Sequence, residues 1–79
     1  MSTTEKTWAY GHRVHRFTPG SRDGAEQRGF ESLEAVRACA EADHAWYRRI
    51  GYYMEVAEAI APDGTRHRFA DLETPYVDP

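Results

Sequence analysis

Four histidines, one cysteine and thirteen carboxylates are the residues of this chain best suited to chemistry, and spacing decides whether they can act together. His12 and His15 stand three apart. On a strand, residues three apart point to opposite faces, so these two cannot share a metal ion. His12, His67 and Glu58 fall on one predicted strand face and are ligand types that zinc accepts. Their spacing is generic, however, and the plainer reading is of histidines that are exposed or hydrogen-bonded. Cys39 lies mid-helix among Ala and Glu, where acidic neighbours disfavour a thiolate, and it reads as a small packing residue. Glu55 and Glu58 are also three apart and make no acid–base pair. Ser21 and Ser32 lack a Gly-x-Ser-x-Gly setting. Gly20, Gly24 and Gly29 punctuate a loop without the Gly-Lys-Ser/Thr ending of a phosphate cradle. No catalytic set emerges, so no enzyme, metal or cofactor is expected.

What positions these residues starts from Ala61-Pro62-Asp63-Gly64-Thr65. Pro62 presets its own φ, Asp63 follows, and Gly64 can take the positive φ that closes a type I turn with a bulge. Alternating residues flank it, which predicts a hairpin over 50–61 and 65–70. A rival reading stays open: Met54 to Ile60 also suits a helix stopped by Pro62. Thr7 to Phe17 alternates aromatic and β-branched residues and predicts a strand over 7–17. Ser32 is a predicted N-cap, with Glu34 at the positive end of the helix dipole and Phe30 placed to pack back as a staple. Leu33, Val36, Ala40, His44 and Tyr47 recur at helical spacing, predicting a helix over 32–47. Residues 18–29 read as a loop, 1–6 as a flexible leader and 71–79 as an extended tail docked by Tyr76 and Val77. The expected fold is α+β: one domain, a three-stranded sheet in β-α-β-β order with a helix on one face. The place of the first strand beside the hairpin is left open.

Size and composition set the limits. A chain of 79 residues makes one domain and buries only about 60% of its unfolded surface. One cysteine forms no internal disulfide, Met1 to Lys6 does not resemble a signal peptide, so none is expected, and no apolar run is long enough to cross a bilayer. A cytoplasmic, soluble protein is expected. The net charge of −3 argues against a dedicated nucleic-acid binder.

Alternation sorts the strands into two faces. Trp8, Tyr10, Val14, Ile50, Tyr52, Met54, Val56, Ile60 and Phe69 should meet the helix, with Glu58 on the same side at the sheet edge. Arg13, His15, Arg49, Tyr53, Glu55, Arg66 and Arg68 should face away, giving a basic outer surface balanced by acids on the helix and tail. Arg13, His15, Arg49, Tyr53, Arg66 and Arg68 are the candidate binding residues. Arg and Tyr are common anchors for a protein partner. The alternative is a nucleic-acid strand held by phosphate contacts and by stacking on Tyr53 and Phe17. The bland reading is a solvated face whose arginines pair with Glu55. Exposed sheet edges also admit a homodimer.

The order of elements and the Pro62-Asp63-Gly64 hairpin resemble the plan of many short proteins of phages and other mobile elements. Some of these inhibit host defence complexes, as anti-CRISPR proteins do. The resemblance has no residue-level motif and assigns no residue a role. It implies an inhibitor acting by protein–protein interaction.

Overall fold

A computed structural model describes residues 7–16 and 22–75 of the chain. The fold is α+β. Among the described residues its sheet has four antiparallel strands, β1 (Trp8–Arg16), β2 (Arg22–Phe30), β3 (Tyr52–Ile60) and β4 (Arg66–Arg68), in the order β2-β1-β3-β4. The helix α1 (Leu33–Arg49) packs on one face, and a 3-10 turn, Ala70–Leu72, follows β4. The extra strand is the main departure from the sequence reading. Residues 22–29 were expected within a loop, and with Phe30 they instead pair along β1 from His15↔Arg22 to Trp8↔Phe30. Gly24, Gly29 and four charged residues make this segment a poor strand by composition. Pairing with the aromatic-rich β1 overrides that local preference. Gly29 takes φ +95° at the point where the β1–β2 register shifts, a bulge that admits glycine readily.

The helix begins and ends for local reasons. Ser32 accepts a hydrogen bond from the Ala35 amide at 3.1 Å, Glu34 sits in the first turn, and Arg48 and Arg49 lie in the last. It runs two residues past the expected end at Tyr47. Ile50 is consequently its C-cap, 46% exposed, and not a core strand residue. The predicted helix face is correct: Val36 and Ala40 are fully buried, and Leu33, His44 and Tyr47 are half-buried.

The hairpin forms as the turn chemistry requires. The Gly64 amide donates to the Ala61 carbonyl at 2.9 Å, the Ala61 amide to the Thr65 carbonyl at 2.8 Å, and the Asp63 carboxylate accepts the Thr65 amide at 2.9 Å. One irregularity was not expected. In the β1–β3 ladder Arg13 faces Val56 and Val14 faces Met54, so Glu55 is an extra residue, a bulge. Beyond it the alternation of β3 is inverted. Ala57 and Ala59 point to the helix and are fully buried, opposite His12 and Tyr10. Val56, Glu58 and Ile60 turn to the other face and leave the core to which sequence parity assigned them. Tyr10, Met54 and Val36 are the largest fully buried side chains, and each stabilises the fold by about 1.5–3 kcal/mol.

After β4 the chain folds back under the helix. Phe69 and Leu72 enter the core. The Phe69 amide donates to the Ala57 carbonyl, and the Thr74 amide to the Met54 carbonyl. The Glu73 carboxylate accepts the Ala57 amide at 3.0 Å. This segment therefore closes the β3 edge that the short β4 leaves uncovered. It was expected to be an extended tail, and in fact it begins with a 3-10 turn. The expected leader 1–6, Phe17, Ser21, Tyr76 and Val77 lie outside the described residues.

Candidate binding face

The face of the sheet away from the helix is built from β1 residues of odd number and their neighbours. Gly11 and Gly24 lack side chains there, which leaves a shallow groove of about 740 Å3 across β2, β1, β3 and β4. Its walls include Val56 and Ile60, delivered by the Glu55 bulge, and the charged residues Arg13, Glu26, Glu58, Arg66 and Arg68. A Cβ on Gly11 would stand 3.3 Å from Glu58 Oε2. Glycine at that position gives the Glu58 carboxylate its space beside the strand.

Two of the groove arginines are held in place. Arg66 pairs with Glu58 across the β3–β4 ladder. Arg68 Nε donates to the Glu73 carboxylate at 2.5 Å, the same carboxylate that accepts the Ala57 amide. This pairing raises the Arg68 pKa above its ordinary value. The face expected to be basic is thus mixed: three guanidiniums share the groove with the carboxylates of Glu26 and Glu58. Carboxylates from neighbouring strand and tail positions meet the arginines directly, so the expected separation of a basic sheet from an acidic helix and tail does not hold here. Arg37 follows the same pattern on the other side. It donates to Asp71 at 2.8 and 2.5 Å and to Glu41 at 2.9 Å, and lies 5.2 Å over the Phe69 ring.

Of the six candidate residues, Arg13, Arg66 and Arg68 come together at the groove. Tyr53 and His15 form the next outward-facing pair of the β1–β3 ladder, with their rings stacked at 5.8 Å. His15 is 5% exposed, its Nε2 lies 3.3 Å from the Thr74 carbonyl, and its Nδ1 lies 3.0 Å from the Arg16 carbonyl. It acts as a structural link to the C-terminal segment and offers little surface to a partner. Arg49 is not on the sheet at all, because the helix extends to include it. Sequence reasoning missed Val56, Ile60, Gly11, Gly24 and Glu26 as groove residues. A signal for the first two exists: apolar residues of both parities, Met54, Val56, Ala57, Ala59 and Ile60, cannot all lie on one face of a regular strand.

The residues first considered for chemistry are dispersed. His12 faces the helix, stacked on Tyr10 at 5.0 Å and tilted against Tyr47 at 5.9 Å, while Glu58 lies on the opposite face. His67 contacts the Trp8 ring at 5.5 Å. Among the described residues no group of three or more His, Cys, Asp or Glu is placed to hold a metal ion. Burial, and then the Asp43 charge, push the Cys39 thiol up, which keeps it protonated and poorly nucleophilic. No helix among the described residues is long and apolar enough to cross a membrane. No protein family matches the chain, and comparison with curated proteins and with solved structures finds no match.

Proposed function

We propose that this is a non-enzymatic binding protein that engages another protein through the groove on the outer sheet face. One observation carries the reading: Arg13, Arg66 and Arg68 stand with Glu26 and Glu58 around the apolar side chains of Val56 and Ile60. Apolar contacts ringed by both signs of charge suit a protein surface, where buried apolar contacts supply affinity and rim charges set orientation. A polyanion would meet Glu26 and Glu58 as repulsive groups. Arg66 and Arg68 are also preorganised by Glu58 and Glu73, which lowers the entropy lost when a partner fixes them. Inhibition of a host complex by a phage or mobile-element protein is one form this role takes. The four-stranded order differs from the strand–helix–strand–strand plan on which that form rested.

The test is affinity capture from the native host with paired variants. Wild-type protein is expected to retain a defined partner. Gly11→Val, which fills the groove, and a triple Tyr53, Arg66 and Arg68 to Ala variant are expected to lose it, while Trp46→Ala on the helix keeps it. Circular dichroism confirms the fold of each. Equal retention by the groove variants, or no retained partner at all, defeats the proposal.

A further inference from the structure

The two edges of the sheet are treated differently by the chain. The β3 edge is closed by β4 and then by Phe69, Glu73 and Thr74. The β2 edge has no strand beyond it among the described residues. Yet β2 is nine residues long, and every residue from Gly24 to Gly29 is exposed. Natural edges are usually defended by proline, by charges on the edge or turned inward, by bulges or by shortness. Along 25–28 β2 has no proline and no bulge, its helix-side residues Ala25 and Gln27 are neutral, and its two charges are opposite in sign. Its charges lie on the outer face, Glu26 opposite Gly11 and Arg28 opposite Ala9.

Those charges are also self-complementary. An antiparallel copy centred on Gln27 sets Glu26 opposite Arg28 of the second molecule, and Arg28 opposite its Glu26. Opposite residues in such a ladder have Cβ atoms about 4.5–5.5 Å apart, within ion-pair reach. Within one molecule the pairing of Arg28 with Glu26 is loose, at 3.4 Å with Arg28 81% exposed, so both side chains are available to a second copy.

We infer that β2 is the edge through which two copies of this chain join, antiparallel and centred on Gln27, into one eight-stranded sheet. Residues of like parity pair in this register, so both helices lie on one face and both grooves on the other. The inference is independent of the proposed function, because its readout is molecular size with no other protein present.

Sedimentation across micromolar to millimolar protein is expected to show a monomer–dimer equilibrium. Glu26→Arg replaces two attractive pairs with two repulsive ones and weakens the dimer by about tenfold or more. The charge-swapped Glu26→Arg, Arg28→Glu double variant restores it. Register is read by cross-linking in a Cys39→Ala background. Gln27→Cys meets its own copy across the two-fold and forms a disulfide dimer. Ala25→Cys does not, since its copy lies about 13 Å along the strand, beyond the roughly 7 Å Cα separation a disulfide tolerates. A monomer throughout the series, an unaltered dimer with Glu26→Arg, or equal cross-linking at residues 25 and 27 overturns the inference.

Discussion

Tyr10 joins the sheet to the helix through a polar contact inside the buried layer. Its side chain is fully buried, and its hydroxyl donates to Asp43 on the helix at 3.0 Å. Burial first, and the Asp43 charge next, raise the Tyr10 pKa well above the tyrosine range. The folded-state value therefore exceeds the unfolded one. Below the unfolded value, about pH 10, both states hold the proton and the stability linked to Tyr10 is fully present. As pH rises past that value the unfolded chain ionises first, and this group alone lowers stability by about 1.4 kcal/mol per pH unit until the folded pKa is reached. Urea denaturation of Tyr10→Phe is expected to show a loss of about 1 kcal/mol near neutral pH and a flatter fall than wild type on the alkaline side. An unchanged alkaline slope in that variant would mean that another group carries the dependence.

The elements differ in how far local sequence determines them. The hairpin turn is fully local: Gly64 holds φ +93°, and a Cβ there would meet nothing within 4 Å. The whole cost of Gly64→Ala is thus backbone strain, expected at about 1–2 kcal/mol by chemical denaturation, with the fold retained. A variant as stable as wild type would contradict the turn geometry. The same locality made this turn, the Ser32 cap and the β1 alternation legible from residues alone. It also made Arg13, Arg66 and Arg68 legible as one face, because their parity is read within strands that contain no bulge on that side. β2 was not legible: a segment with two glycines and four charges becomes a strand only because β1 lies beside it. The Glu55 bulge was missed for a related reason. It places Ala57 and Ala59 under the helix, where larger residues would hold Val36 and Ala40 away, and the mixed parity of apolar residues in β3 hints at a bulge without fixing its position. Val56 and Ile60 were lost to the core as a result. Arg49 was misplaced by two residues of extra helix, and His15 keeps its expected face but is covered by a C-terminal segment whose path depends on tertiary contacts.

At the scale of the whole molecule, charge is neutralised locally. Arg37 is met by Asp71 and Glu41, Arg66 by Glu58, and Arg68 by Glu73, in a chain of net charge −3. Nucleic-acid affinity depends on the opposite arrangement. Each phosphate neutralised adds about −0.9 to the slope of log K against log salt on a duplex, and useful affinity needs several such contacts. Here a backbone laid in the groove would have to draw Arg66 and Arg68 from carboxylates that already hold them, and would bring phosphates against Glu26 and Glu58. Of the groove arginines only Arg13 has no ion-pair partner among the described residues. One or two phosphate contacts give a slope of only about −1 to −2, too shallow to carry binding at physiological salt. Anisotropy titrations with labelled single- and double-stranded DNA and RNA at low salt are therefore expected to show no saturable binding. Saturable binding with a steep salt slope, lost in Arg66→Ala and Arg68→Ala, would show that the ion pairs open for phosphate and would transfer the groove from a protein partner to a nucleic acid.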